Sequence, residues 1–214
     1  MNSADEVHRS ILRIAQHSLA LEEVLNAADR QLGDGDTGTM LVRLIAAMAI
    51  TAPAPKETLS GYLFELGKSG QNSTGSSLGT LLVMGMMTAA QRLKDESVTN
   101  NPAELLKHIR EAMQRIGRSD LGAKTILDSL AAIEAKLKIH SSSHVDKLKL
   151  AHEAAVDALD EFRMKPSHIG RARIYAEKSI GKDDPGMLAI AKILEILGDG
   201  GLEHPANNKL SSSL

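Results

Sequence analysis

No stretch of this chain reads as a β-strand. Apolar residues recur at helical spacing, and the segments carrying them are separated by breaks rich in glycine, proline, serine and aspartate. Runs of β-branched and aromatic residues, the usual material of strands, are missing. Aromatics make up only 2% of the sequence against 43% hydrophobic residues overall, so the core must be built from Leu, Ile, Ala and Met, as in helical bundles.

The breaks predict eight helices. The first begins near Asp5, with Val7, Ile11, Ile14, Leu19 and Leu21 to Leu25 facing inward, and stops at an Asp/Gly stretch. The others are expected at about 38–50, from 56 to the glycine-rich segment at 70–77, then at 78–94, 101–117, 125–138, 145–162 and 185–197. Pro102 falls at the favoured first turn of the fifth. With 214 residues, one helical domain over 1–206 and a polar tail over 207–214 are expected. In an antiparallel up-and-down arrangement, odd-numbered connections share one end. The segments 29–36, 70–77, 117–124 and 164–184 should therefore meet there.

A formal net charge of −2 gives no case for nucleic-acid binding, which calls for a clustered basic surface. The chain has no cysteine, which excludes disulfides and zinc–thiolate sites. Its apolar runs are too short to cross a bilayer, and the N-terminus lacks the basic start and apolar core of a signal peptide. A soluble cytoplasmic protein is expected.

The first odd connection carries the most chemistry. Asp29, Asp34 and Asp36 lie within Asn26-Ala-Ala-Asp-Arg-Gln-Leu-Gly-Asp-Gly-Asp-Thr-Gly-Thr-Met40. Clustered like charges interrupted by glycine suit a hard cation, and magnesium takes oxygen ligands shared between carboxylates and phosphates. The following helix N-terminus favours an anion beside it. An Asp/Gly turn that merely caps a helix is the alternative. A calcium EF-hand fails, because its twelfth position, counted from Asp34, is Ile45. In the third connection, Ser73-Thr74-Gly75-Ser76 offers small residues and hydroxyls ahead of a helix, as phosphate binding needs. Gly61-x5-Gly67-Lys68-Ser69 imitates a Walker A loop, but it is one residue too long and has no preceding strand.

Four ordered motifs resemble the small, nucleotide-binding subunit of dihydroxyacetone kinases. Asp29-x4-Asp34-Gly-Asp36-x-Gly38 matches that family's Asp-x4-Asp-Gly-Asp-x-Gly signature. Ser69-Gly-Gln-Asn-Ser-Thr-Gly-Ser-Ser-Leu-Gly79 stands where the family has a Gly-Gly-x-Ser-Gly turn, and Gly122-Ala-Lys-Thr-Ile-Leu-Asp128 is similar to its Gly-Asp-Lys-Thr-Met-Leu-Asp. Gly170-Arg-Ala-Arg-Ile-Tyr-Ala-Glu-Lys-Ser-Ile-Gly-Lys-Asp-Asp-Pro-Gly186 follows the family's last motif closely.

The resemblance implies an all-α, antiparallel eight-helix barrel with ATP or ADP at one mouth. It implies that Asp29, Asp34 and Asp36 hold one or two Mg²⁺ ions. Thr37, Gly38, Thr39 and Met40 would follow the phosphates, with Thr74 and Gly75 cradling them. Gly122 would lie against the nucleoside, and Arg171 with Asp184, Pro185 and Gly186 would close over it. Lys124 reads as a phosphate ligand or a surface lysine, and Arg173, Lys178 and Lys182 as positive charge nearby or a solvated lid. The implied partner is a ketose-binding kinase subunit, with ATP as donor in some members and a phosphotransferase-system protein rephosphorylating bound ADP in others. The chain departs from the pattern at Thr37, Met40, Gln71, Asn72 and Ala123. Those departures would also suit a rival role, a nucleotide-responsive regulator without turnover.

Overall fold

The computed structural model describes residues 3–140, 146–169 and 176–198. Those residues hold ten α-helices, one 3₁₀ turn and no strand. The expected polar tail at 207–214 lies outside the described residues.

Where one first helix was expected, there are two, α1 (Ala4–Gln16) and α2 (Ser18–Asp29). The break at His17 has a local cause, because side chains there compete for the backbone. The Ser18 hydroxyl donates to the Ala15 carbonyl at 2.7 Å, and His17 Nδ1 meets the Arg13 carbonyl at 3.0 Å. α3 (Thr37–Ala49), α4 (Leu59–Gln71) and α5 (Ser77–Arg92) follow near their expected bounds. The Walker-like stretch lies within α4, as its amphipathic spacing required, with Tyr62, Leu66 and Gly67 inward and Phe64 and Lys68 exposed.

A short α6 (Glu96–Thr99), capped by Asp95, was not foreseen, since four residues are too few to show a period. α7 (Pro102–Gly117), α8 (Ile126–Ile139), α9 (Lys147–Arg163), a 3₁₀ turn (Glu177–Ser179) and α10 (Pro185–Gly198) complete the order.

The helices close into a ring. α2, α3, α4, α5, α7, α8, α9 and α10 each pack on the next, and α10 returns to α2. α1 extends from α2 and lies against α3 and α10, outside the count of eight. The walls are small and aliphatic. Ala154, Ala155 and Ala158 of α9 pack with Ile133, Leu137 and Met187, while Leu21, Leu25, Met40, Leu41 and Ile45 join α2 to α3. Tyr62, fully buried, donates its hydroxyl to the Thr51 carbonyl at 2.9 Å and meets His8 Nδ1 at 2.8 Å. Burial first, then the charge of Glu57, pushes its phenol up to about 12.

The α2–α3 seam fixes the position of everything at the mouth. Gly38 sits so close to α2 that a Cβ would collide with the Glu22 carbonyl and stand 2.8 Å from Glu22 Cα. Asn26 Oδ1 accepts the amides of Gly38 (2.7 Å) and Thr39 (3.2 Å), and the Thr39 hydroxyl donates to Glu22 Oε1 at 2.7 Å. Gly38→Ala should therefore destabilise the fold by about 1–3 kcal/mol, the cost of overpacking against backbone that cannot yield. Urea denaturation checks this, and an unchanged midpoint would mean that α2 and α3 part freely.

Candidate functional site

At one end of the ring lies a cavity of about 640 Å³. Its described lining comes from every odd-numbered connection or the helix that follows it: Asp29, Leu32 to Asp34, Asp36 and Thr37 with Met40 and Arg43 of α3, Gly75 to Leu78 with Leu81 of α5, Thr125 and Ile126, and Ile169 with Asp184 to Gly186. The convergence expected from counting helices is thus present.

Asp29 organises the acidic wall. It is the last residue of α2 and is buried, with Oδ2 accepting the amides of Asp36 (2.9 Å) and Thr37 (3.1 Å). It thereby satisfies the free N–H groups at the start of α3, a task that Asp36, at the capping position, does not perform with its own side chain. The Asp29 carbonyl accepts from Leu32 (2.8 Å) and Gly33 (2.6 Å), folding the chain back at once. A Cβ on Gly33 would collide with Asp29 Oδ1, and Gly35 turns at φ +79°, so both glycines are required by the turn. The result brings one carboxylate oxygen from each of Asp29, Asp34 and Asp36 within 4.8 Å of the others.

Three carboxylates without nitrogen or sulfur donors suit a hard cation. Oxygens across one magnesium shell stand about 4.2 Å apart, so small side-chain rotations adapt the triad to the ion. Asp34 and Asp36 are exposed, leaving access for phosphate oxygens.

Of the four residues expected to follow the phosphates, Thr37 and Met40 line the cavity. Gly38 and Thr39 do not; their amides are taken by Asn26, because the helical period turns them toward α2. Met40 contributes packing, being buried in the α2–α3 core. Gly75, Ser76 and Ser77 line the opposite wall, but Thr74 does not. Its side chain lies over Gly79 and accepts the Ser76 amide at 3.4 Å.

The hydroxyl richness of this segment has more to do with its own folding than the sequence suggested. Ser69 donates to the Ala47 carbonyl (2.8 Å), Ser73 to the Ser69 carbonyl (3.0 Å), and Ser76 caps α5 by accepting the Gly79 amide (3.0 Å).

Gly122, expected against the nucleoside, is outside the described lining. It adopts φ +90°, and its amide donates to Asp128 Oδ1 at 2.6 Å. Asp128 Oδ2 accepts the Thr125 amide at 2.8 Å, so this buried aspartate shapes the segment and starts α8.

Lys124 is neither a phosphate ligand nor a surface lysine. It is 1% exposed, at φ +61°, and its ammonium donates to the carbonyls of Arg163 (3.0 Å), Lys165 (2.9 Å) and Ser179 (2.8 Å). It ties the end of α9 to the 3₁₀ turn. The Gly181 amide adds a 2.8 Å bond to the Arg163 carbonyl, and Arg163 Nε pairs with Asp183 at 2.7 Å. Burial pulls the Lys124 ammonium below the usual lysine range, against the opposing charges of Asp184 and Asp183.

In the seventh connection, Asp184, Pro185 and Gly186 reach the cavity, whereas Arg171 and Arg173 lie outside the described residues. Asp184 Oδ1 accepts the Met187 amide at 2.9 Å and begins α10. Burial pushes its carboxyl up to about 6, offset in part by the Met187 and Gly186 amides and by Lys124. Lys182 Nζ reaches the Gln31 carbonyl at 3.4 Å, joining the seventh connection to the first, and Lys178 is exposed on the 3₁₀ turn.

Sequence reading missed Asn26, Arg43 and the structural work of Lys124. Arg43 was detectable, since seven residues after Asp36 puts it on the same face of α3.

Known proteins share this architecture and part of its sequence. A DAK2 domain family model matches residues 31–199. Human triokinase/FMN cyclase is 31% identical over 190 residues, covering 86% of this chain and 33% of that protein. The PEP-dependent dihydroxyacetone kinase, ADP-binding subunit DhaL, of Escherichia coli K12 is 26% identical over 183 residues, covering 82% of this chain and 86% of that subunit. The crystal structure of the dihydroxyacetone kinase of C. freundii in its native form superposes with a TM-score of 0.71 at 25% identity, over 89% of this chain and 33% of that one. The same kinase in complex with AMP-PNP and Mg²⁺ gives a TM-score of 0.72 at 24% identity, a likeness of fold. The chain spans about a third of the length of the mammalian relatives. With the family model covering most of the ring and the mammalian proteins sharing its sequence, the chain belongs to the DAK2 domain family.

Proposed function

We propose that this chain is the nucleotide-holding part of a dihydroxyacetone-type ketose kinase, carrying Mg²⁺-ATP or Mg²⁺-ADP in the cavity at the ring's mouth. The carrying observation is the gathering of Asp29, Asp34 and Asp36 within 4.8 Å on the wall of a cavity closed by Gly75, Ser76 and Ser77. The relatives' names support it, among them an ADP-binding subunit that matches over most of its own length, and so does the fold shared with a kinase holding AMP-PNP and Mg²⁺.

The cavity has two characters. Leu78, Leu81, Ile126, Ile169 and Pro185 form an apolar side suited to a nucleoside, and the α3 side carries carboxylates and small polar groups suited to metal and phosphates. Bound magnesium supplies charge neutralisation at the phosphates, and one or two ions fit the triad. The chain's own part is positioning. Asp29 fixes the acidic turn to the start of α3, and the Gly75–Ser77 backbone on the opposite wall allows close approach of a phosphate.

No described residue of the lining is a histidine or lysine that could accept a proton from a ketose. The keto-sugar is held by a second subunit or domain, which accords with a relative named as an ADP-binding subunit, and the phosphoryl donor is ATP or ADP rephosphorylated by a phosphotransferase-system protein. A cytoplasmic location accords with either donor. The decisive assay gives the purified chain dihydroxyacetone and L-erythrulose with Mg²⁺-ATP, first alone and then with its ketose-binding partner. Sugar phosphate is expected only in the mixture. Turnover by the chain alone would reveal an acceptor site within it. Tight nucleotide binding with no turnover in the mixture would favour the regulatory role.

A further inference from the structure

We propose that Arg43 binds the terminal phosphate of a nucleoside triphosphate in the cavity, an inference that rests on the nucleotide-holding function above. Among the described lining residues, four are acids (Asp29, Asp34, Asp36 and Asp184) and Arg43 is the one base. Asp36, Met40 and Arg43 share a face of α3, with Arg43 about 10 Å along the axis from Asp36.

Arg43 Nε donates to the Ser73 carbonyl at 2.8 Å, which fastens the guanidinium to the segment leading into Gly75, Ser76 and Ser77. Among the described residues that is its one hydrogen bond, and its Nη groups pair with no carboxylate. A guanidinium anchored through Nε still presents Nη donors, the geometry with which arginine takes phosphate oxygens.

Ring order decides which phosphate. Of the apolar lining, Leu78 and Leu81 stand on α5, whereas Ile126 and Pro185 start α8 and α10 and Ile169 lies between α9 and α10; the nucleoside is assigned to this second group, which faces Arg43 where it bridges α3 to the segment ahead of α5. A nucleoside seated on the apolar side directs its phosphates past the acidic turn, so the last phosphate comes nearest Arg43. The diphosphate stops short of it.

The test compares Mg²⁺-ADP with Mg²⁺-AMP-PNP, by calorimetry, on the full chain carrying Arg43→Met or Arg43→Lys, with thermal melting to verify folding. Arg43→Met should weaken AMP-PNP at least tenfold, the scale of a charge-assisted hydrogen bond. ADP affinity should stay within about twofold, and Arg43→Lys should recover part of the loss. An equal loss for both nucleotides would make Arg43 a strut for the Ser73 segment and overturn the proposal. No change for either would remove it from the site. If the unaltered chain binds neither nucleotide, the nucleotide-holding function itself falls, a result distinct from both.

Discussion

Lys124→Met will cost about 2–3 kcal/mol of folding stability, the loss expected when a charged donor is removed from buried carbonyls. Methionine fills nearly the same volume but donates nothing, so the carbonyls of Arg163, Lys165 and Ser179 lose their shared donor in a place water hardly reaches. The damage will also reach the site. Those carbonyls flank the segment that brings Ile169 and Asp184 to the cavity, and the His168 amide bonds to the Ala123 carbonyl next to Lys124 at 3.1 Å. Urea denaturation measures the first effect and ADP calorimetry the second. A denaturation midpoint equal to that of the unaltered chain would show that the ammonium is dispensable.

Asp34→Asn will weaken Mg²⁺-ADP by about 2–4 kcal/mol, because it removes one of the three charges that face the cation. The residue is exposed and its carboxylate stands within 4.8 Å of those of Asp29 and Asp36. Asp29→Ala provides the contrast, because the buried carboxylate also caps α3, and its loss should add about 1 kcal/mol or more of destabilisation. Calorimetric titration with ADP in magnesium and in EDTA reads the dependence directly. Equal affinity in the two would sink the metal-site assignment.

Local chemistry was legible before any coordinates. The glycine and proline breaks placed the long helices to within a few residues, since apolar period and turn chemistry agree in each segment. Counting connections sent the right loops to one end, because short links between neighbouring helices leave the chain little choice but to alternate. The acidic turn announced itself through charges that glycine spacing forbids on a helix. Helix breaks without glycine or proline, such as the one at His17, left no such mark, and the four-residue α6 was too short to register.

Direction was not legible. Thr37 and Met40 face the cavity while Gly38 and Thr39, their chain neighbours, face Asn26, a division settled by which side of α3 lies against α2. The hydroxyls of 69–77 looked like phosphate ligands, but three of them are held by nearby backbone groups. Lys124 shows the limit most clearly. Its burial depends on carbonyls 39, 41 and 55 residues away, and a charge is driven inside only where distant backbone converges to solvate it. Sequence by itself determined the helical class, the meeting of the odd-numbered connections at one end of the ring and the clustering of Asp29, Asp34 and Asp36, all consequences of local spacing. Only the tertiary structure decided which polar side chains meet the cavity and which hold the walls together, because that choice rests on contacts between residues far apart in the chain.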